Sequence, residues 1–180
     1  MAIWFTSDNH WFHQKLSNIR GFADSGQMND ALREKWNKTV KPGDTVYNLG
    51  DVSFASLPTT VEFLSTLNGT QHLVFGNHDK QLRKKAASLL EAKVFASMQN
   101  CLTLKLNGLE FYLHHFAHRT WNKSHYDVIH LFGHSHGHLP PLGKSVDVGF
   151  DDNCITSELR PIALEEVLEF MKDRKNHDGY

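Results

Sequence analysis

The sequence predicts a mixed α/β (α+β) fold in one domain spanning residues 1–180. Three observations carry that expectation. Short apolar runs of strand length alternate with stretches of helical period. Most of the apolar runs end in a polar loop rich in Asp, Asn or His. A chain of 180 residues, 40% hydrophobic and 22% charged, is long enough for one real core and at most a small appendage.

The elements follow in chain order. "AIWFTS" reads as an opening strand, and residues 28–38, "MNDALREKWNK", as a short helix with Asp30 at its N-cap and Leu32 and Trp36 on one face. "KPGD" turns the chain into a buried strand, "TVYNLG", which ends at Asp51. "LPTTVEFLSTLNG" has Pro58 near a helix start and Gly69 past its end. "QHLVFGNHD" repeats the strand-then-polar-loop plan, and "KQLRKKAASLLEAKVF" is helical with a basic first half. "CLTLKLNGLEFYLHH" is two alternating strands around Asn107-Gly108, a type I′ hairpin signal. "DVIHLFGHSH" and "KSVDVGF" are two further strands, and "PIALEEVLEFMKDRK" is an amphipathic C-terminal helix.

Composition excludes several classes. A formal net charge of -1 argues against a polyanion-gripping, nucleic-acid-binding surface. The first apolar run is too short for a signal peptide, and no window approaches a membrane span. Cys101 and Cys154 stand apart, outside any CxxC pair, which suits reduced thiols in a cytoplasmic protein. Oligomeric state stays open.

Histidine is the anomaly. There are 13, and eight fall between positions 114 and 138. Neutral imidazole is the commonest metal ligand, so a metal site is the working hypothesis. In open α/β sheets, ligands bind outside the carboxyl ends of strands. The loops "SDNH", "GD", "GNHD", "LHH" and "GHSH" all follow strands. Together they offer Asp8, His10, Asp51, Asn77, His115, His134 and His136. These are oxygen and nitrogen donors without thiolate, suited to Mn, Fe, Zn, Co or Ni. Seven donors exceed one tetrahedral ion and match two, with a bridging carboxylate completing both sets. Two divalent ions against two carboxylates leave a positive surplus, which is what a phosphate ester needs.

The five motifs "SDNH", "LGDVSF", "FGNHD", "LHHFA" and "LFGHSHG", in this order, resemble the calcineurin-like metallophosphoesterase superfamily, and most closely its small single-domain bacterial and phage members. The resemblance implies a four-layer α/β/β/α sandwich of two mixed β-sheets. It implies that Asp8, His10 and His136 bind a first divalent ion, that Asp51 bridges, and that Asn77, His134 and His115 hold the second. Manganese ranks first, with Fe, Zn, Ni or Co as alternatives. A metal-bridging hydroxide would attack phosphorus, His78 would protonate the leaving oxygen, and Asp79 would orient His78. His115 is preferred over His114 because an aromatic residue follows it, although Ala117 stands where the family often has Pro. His13 and His114 are assigned to substrate contact. The substrate would be a phosphate ester, a diester or a monoester, with nucleotides and cyclic nucleotides among the candidates.

Other residues have plainer readings. His138 is a solvated loop residue, and His118, His125 and His130 are surface or packing residues. Trp4, Trp11, Trp36 and Trp121 belong to core or rim, with Trp11 and Trp121 near enough to the motifs to stack on a substrate ring. "KQLRKK" is a solvated basic face. Amidohydrolases and metallo-β-lactamases place their histidine pair early in the chain, and cupins are all-β, so none fits. The rival of a different class is a non-catalytic scaffold on the same fold.

Overall fold

The computed structural model describes residues 1–177. Two mixed sheets form its centre. In the first, β1 (Ile3–Thr6), β2 (Thr45–Asn48), β3 (Thr70–Val74) and β4 (Ser97–Gln99) are parallel neighbours, and β9 (Ile162–Ala163) pairs antiparallel with β1. The second has the order β5 (Cys101–Leu106), β6 (Leu109–His114), β7 (Ile129–Phe132) and β8 (Ser145–Asp147). There β5 and β6 form an antiparallel hairpin, while β6, β7 and β8 are parallel. This is the sandwich of two mixed sheets that the resemblance implies.

Two cores hold it together. On one face of the first sheet, α2 (Ser25–Thr39) presents Met28, Leu32 and Trp36 four residues apart, a single stripe of a 3.6-residue period. They pack with Phe63 and Leu64 of α3 (Leu57–Leu64) against Val46 and Leu73. Each such side chain contributes roughly 1.5–3 kcal/mol on burial. Between the sheets lie Phe5, Val74, Phe111, Leu131 and Val146, joined by Val167 and Met171 of α6 (Leu164–Met171). The Phe5 and Phe111 rings stack across the sandwich at 5.9 Å.

Several local expectations are revised. The helix read over residues 28–38 begins at Ser25, because Asp24, not Asp30, caps it by accepting from the Gln27 N–H at 2.8 Å. Asp30 is exposed inside the helix and pairs with Arg33. The long basic helix is two short ones, α4 (Lys80–Lys84) and α5 (Ala86–Glu91), because Lys85 leaves helical geometry with φ -112° and ψ 16°. The C-terminal helix read from Pro161 begins at Leu164, because Ile162 and Ala163 pair with β1 as β9, and the short helix α1 (Gln14–Ile19) and β4 carry no expectation from the sequence. The hairpin turn is as expected, with φ of 50° at Asn107 and 82° at Gly108. Among the described residues, no helix is long and apolar enough to cross a membrane.

Candidate metal centre

Every residue of the expected ligand set sits just past the carboxyl end of a strand. Asp8 and His10 follow β1, Asp51 follows β2, Asn77 follows β3, His115 follows β6, and His134 and His136 follow β7. The loops are stitched to one another by backbone: Asp8 N–H donates to Gly50 O at 2.9 Å, His10 N–H to Asp51 O at 3.1 Å, and Gly133 N–H to His115 O at 2.9 Å. Asp8, His10, Asp51, His134 and His136 all have φ between 48° and 68°. That left-handed region costs a non-glycine residue of the order of 1–2 kcal/mol. Strain of this kind concentrates at functional sites, where surrounding bonds enforce it. Close approach also demands glycine twice. A Cβ on Gly76 would lie 2.2 Å from Asp51 Oδ1, and one on Gly133 would lie 2.5 Å from Asp8 Oδ2.

Two groups of donor atoms result, Asp8 with His10 and His136, and Asp51 with His115 and His134. Within each group the donor atoms lie no more than 4.8 Å apart. His10 Nε2 is 3.6 Å and His136 Nε2 3.9 Å from Asp8 Oδ1. That buried oxygen has no hydrogen-bond partner among the described residues, and these separations are too long for hydrogen bonds. His136 Nδ1 donates to Asp151 Oδ2 at 2.6 Å, which leaves the Nε2 lone pair facing the carboxylate. His115 Nδ1 donates to Leu49 O at 2.7 Å, which aims Nε2 at Asn77 Oδ1, 3.0 Å away, and at Asp51 Oδ2, 3.5 Å away. Neutral imidazoles and carboxylates that converge in this way suit a cation between them. Ligand bonds of about 2.0–2.2 Å set neighbouring donors roughly 3–3.5 Å apart, so the residues present fit metal ions.

Asp51 Oδ2 occupies the middle. It is 3.8 Å from His10 Nε2 of the first group and 3.5 Å from His115 Nε2 of the second. The other oxygen, Oδ1, accepts from His78 N–H at 2.8 Å. Burial pushes the Asp51 carboxyl up, but His115 and the His78 N–H outweigh it, and the pKa lies below the ordinary range. Burial likewise opposes charge on His115, yet Asp51 and Asp8 raise its pKa above that of a free imidazole.

Residues that the sequence did not single out brace the donors. The Arg20 side chain is buried and donates to Asp8 O at 2.7 Å, to Asn9 O at 2.8 Å, and through a two-pronged pair to Asp151 at 2.7 and 2.8 Å. Asp151 in turn orients His136. Burial would raise the Asp151 pKa, but Arg20 and His136 hold it far below the carboxylate range. The hydrogen bond to Asp151 raises the pKa of His136. Asp147 accepts from Ser135 Oγ at 2.6 Å and from the N–H groups of Gly137 and Gly149, fixing the loop that carries His134 and His136. Such outer partners tune ligand basicity and direction. Sequence alone gave no signal for Arg20, whose partners are carbonyls and an aspartate 131 residues away.

The remaining expected site residues divide. His78 is half exposed at the rim, its Nε2 3.9 Å from Asp51 Oδ2 and its ring 4.9 Å from Phe54. His13 lies on the same rim, edge-on to Phe54 at 4.1 Å, and also caps α1 by accepting from Leu16 N–H at 3.0 Å. Burial lowers its pKa. Asp79 does not reach the His78 imidazole. Its carboxylate is buried and accepts from the N–H groups of Asp51, Val52 and Gly76 at 2.8–2.9 Å, so it braces two loops instead. His114 is turned away from the cleft, its ring against His118 at 4.3 Å, which corrects its assignment to substrate contact. His130 is buried, donating to Tyr112 O and accepting from His118 N–H, and burial pulls its pKa down to about 4. His138 is exposed. Trp11, Trp36 and Trp121 are buried packing residues. Phe54, which sequence reasoning missed, is the exposed aromatic wall beside His10, His13 and His78.

Comparison with known proteins finds a family and several relatives. The model of the calcineurin-like phosphoesterase superfamily domain matches residues 1–141. The gene 66 protein of Mycobacterium phage L5 is 40% identical over 80 residues, which is 42% of this chain and 39% of that protein. The alignable stretch is therefore about two-fifths of that relative's length. The uncharacterized protein MJ1445 of Methanocaldococcus jannaschii is 26% identical over 180 residues, 96% of this chain and 93% of its own. Among solved structures, AQ665 of Aquifex aeolicus, a protein of unknown function, superposes with a TM-score of 0.67 at 20% identity, covering 94% of this chain and 98% of that one. A novel archaeal phosphodiesterase superposes at 0.51 and 20% identity, covering 91% and 100%. At such identities the structural likeness establishes the fold. The family match spans most of the chain and includes all seven donors, and the chain belongs to the calcineurin-like phosphoesterase superfamily.

Proposed function

We propose that residues 1–180 act as one domain, a binuclear metal-dependent phosphoesterase that hydrolyses phosphodiesters, phosphomonoesters or both in the cytoplasm. The observation that carries this reading is the position of Asp51 Oδ2, within 3.8 Å of His10 Nε2 on one side and 3.5 Å of His115 Nε2 on the other. Asp8, His10 and His136 would hold one divalent ion, and Asn77, His115 and His134 the other, with Asp51 serving both. Manganese is the first choice, with Fe, Zn, Ni and Co as alternatives. Ions bound there would lower the pKa of water and offset charge on the phosphate oxygens.

The chain's own side chains supply the rest. Asp8 and Asp51 contribute two negative charges, so the centre retains the positive surplus that an anionic ester requires. His78 stands exposed at the rim, its ring 5.8 Å from that of His10, and protonates the departing oxygen. His13 and Phe54 shape the same rim and limit water access. The free, exposed thiols of Cys101 and Cys154 suit a reducing compartment.

The test is hydrolysis of bis-p-nitrophenyl phosphate and p-nitrophenyl phosphate with Mn²⁺, with and without EDTA. Metal-dependent turnover is expected. His78→Ala should keep two bound ions and lose roughly 10²–10⁴-fold in rate on a poor leaving group, the usual worth of general acid catalysis. A protein that binds two ions and turns over neither ester would be the non-catalytic scaffold.

A further inference from the structure

Three cavities lie in a row across the centre and share walls. The middle one, about 180 Å³, is lined by His10, Asp51, His78 and His136. It shares Phe54 and His78 with a cavity of about 140 Å³ on one side. On the other it shares Leu16, Ile19 and His136 with a trough of about 760 Å³ that continues along His138, Ser157 and Leu159. A phosphate needs only the middle chamber, and a monoester needs one flank more. The larger flank then has no use unless the phosphorus carries a second substituent.

The chemistry of the trough narrows what that substituent is. Its floor contains Arg20 and Asp151, but these are paired at 2.7 Å and further tied to backbone oxygens and to His136, so they present no free charge. Asp152 adds a carboxylate to the lining, which disfavours a further phosphate. Ile19 is 71% exposed and stands on the wall with Leu16 and Leu159. An isoleucine this exposed gains by being covered.

Resting on the phosphoesterase reading above, we propose that the substrate is a phosphodiester whose leaving group lies on the Phe54–His78 side and whose retained, uncharged ester group occupies the trough of Leu16, Ile19 and Leu159. Water adds to phosphorus, the phosphorus–oxygen bond on the His78 side breaks, and the departing oxygen takes a proton. The products are an alcohol and a monoester that leaves with its substituent still in the trough. Ile19 and Leu159 set specificity; neither touches the reacting atoms.

Two variants act in opposite senses: Ile19→Asp removes apolar wall, and Ser157→Trp fills the trough. Both sites are exposed, so folding should survive. The ratio of kcat/KM for bis-p-nitrophenyl phosphate over p-nitrophenyl phosphate should fall about tenfold in each, the scale of losing an apolar subsite contact. Independently of turnover, diphenyl phosphate added to the zinc-loaded protein should shift the amide resonances of Ile19 and Leu159, whereas inorganic phosphate should not. An unchanged ratio in both variants, or shifts confined to the Phe54 side, overturns the trough assignment. Absence of metal-dependent turnover on either ester by the parent protein overturns the phosphoesterase reading instead, and the resonance map still decides whether the trough takes the second ester group.

Discussion

Asp79→Asn separates two jobs that the sequence alone confuses. Asp79 follows His78 directly, and the obvious role is to orient that imidazole; its oxygens are occupied elsewhere. Oδ2 accepts from Asp51 N–H at 2.9 Å and Gly76 N–H at 2.8 Å, and Oδ1 from Val52 N–H at 2.9 Å. An asparagine amide fits the same space but turns one acceptor into a donor. Placed best, it keeps two bonds and sets its NH₂ against the Val52 N–H. Bonds to a charged group are worth about 1.5–3 kcal/mol against 0.5–1.5 for neutral ones, and a stranded buried donor costs about 1–3 kcal/mol more. Burial opposes the charge on Asp79 and raises its pKa, so losing that charge offsets part of the cost, and the variant should lose roughly 3–5 kcal/mol. For a chain of this size each kcal/mol shifts Tm by about 2–4 °C, so Tm should drop by about 6–20 °C. Calorimetry in EDTA reads this without contribution from bound ions. The loop after β2 and the loop after β3 would loosen together, so metal affinity should weaken as well. An Asp79→Asn protein that melts with the parent, binds metal normally and yet loses turnover would refute this account and restore the link to His78.

The other predictions concern the donors and one distant histidine. Asp51→Asn should weaken both ions, each by more than the 10–100-fold typical of an outer partner; competitive titration that finds only one ion affected would contradict the central position of Asp51 Oδ2. Gly133→Ala forces a Cβ to within 2.0 Å of Ser7 Oγ and 2.5 Å of Asp8 Oδ2, so it should cost about 1–3 kcal/mol from overpacking and remove one ion preferentially, as metal analysis would reveal. His130 has a folded pKa of about 4 against roughly 6.5 in an open chain. The unfolded chain protonates first as pH falls, so stability present above pH 6.5 should decline towards pH 4 by roughly 3 kcal/mol. His130→Gln should flatten that part of the metal-free stability profile, and equal slopes in parent and variant would count against it.

Much of the fold was legible because its signals are local. Alternation around Asn107-Gly108 specifies a hairpin without reference to anything distant, and the spacing of Leu32 and Trp36 specifies one helix face. The donor loops were legible for a related reason: a strand that ends in a polar cluster announces a site at the sheet edge, and five of them in order are specific. What escaped notice depends on contacts between remote segments. Helix α1 is capped by an imidazole, which no capping rule favours, and β4 and β9 are two or three residues long. Arg20 and Asp147 act on backbone atoms of other loops, and nothing beside them in the chain reports that. Asp79 shows the converse error, since adjacency to His78 along the chain says nothing about which way a carboxylate points.

Arg20, Asp147 and Asp151 have one consequence for anyone wishing to trim or transplant this centre. All seven donors precede Gly137, and the superfamily match ends at residue 141, so a fragment cut there would carry every atom proposed to coordinate. It would lack Asp147, which pins Ser135 and Gly137, and Asp151, which steers His136 and anchors Arg20 under the first loop. Any portable unit therefore extends at least through Asp151: a shorter piece keeps the right atoms and loses their aim.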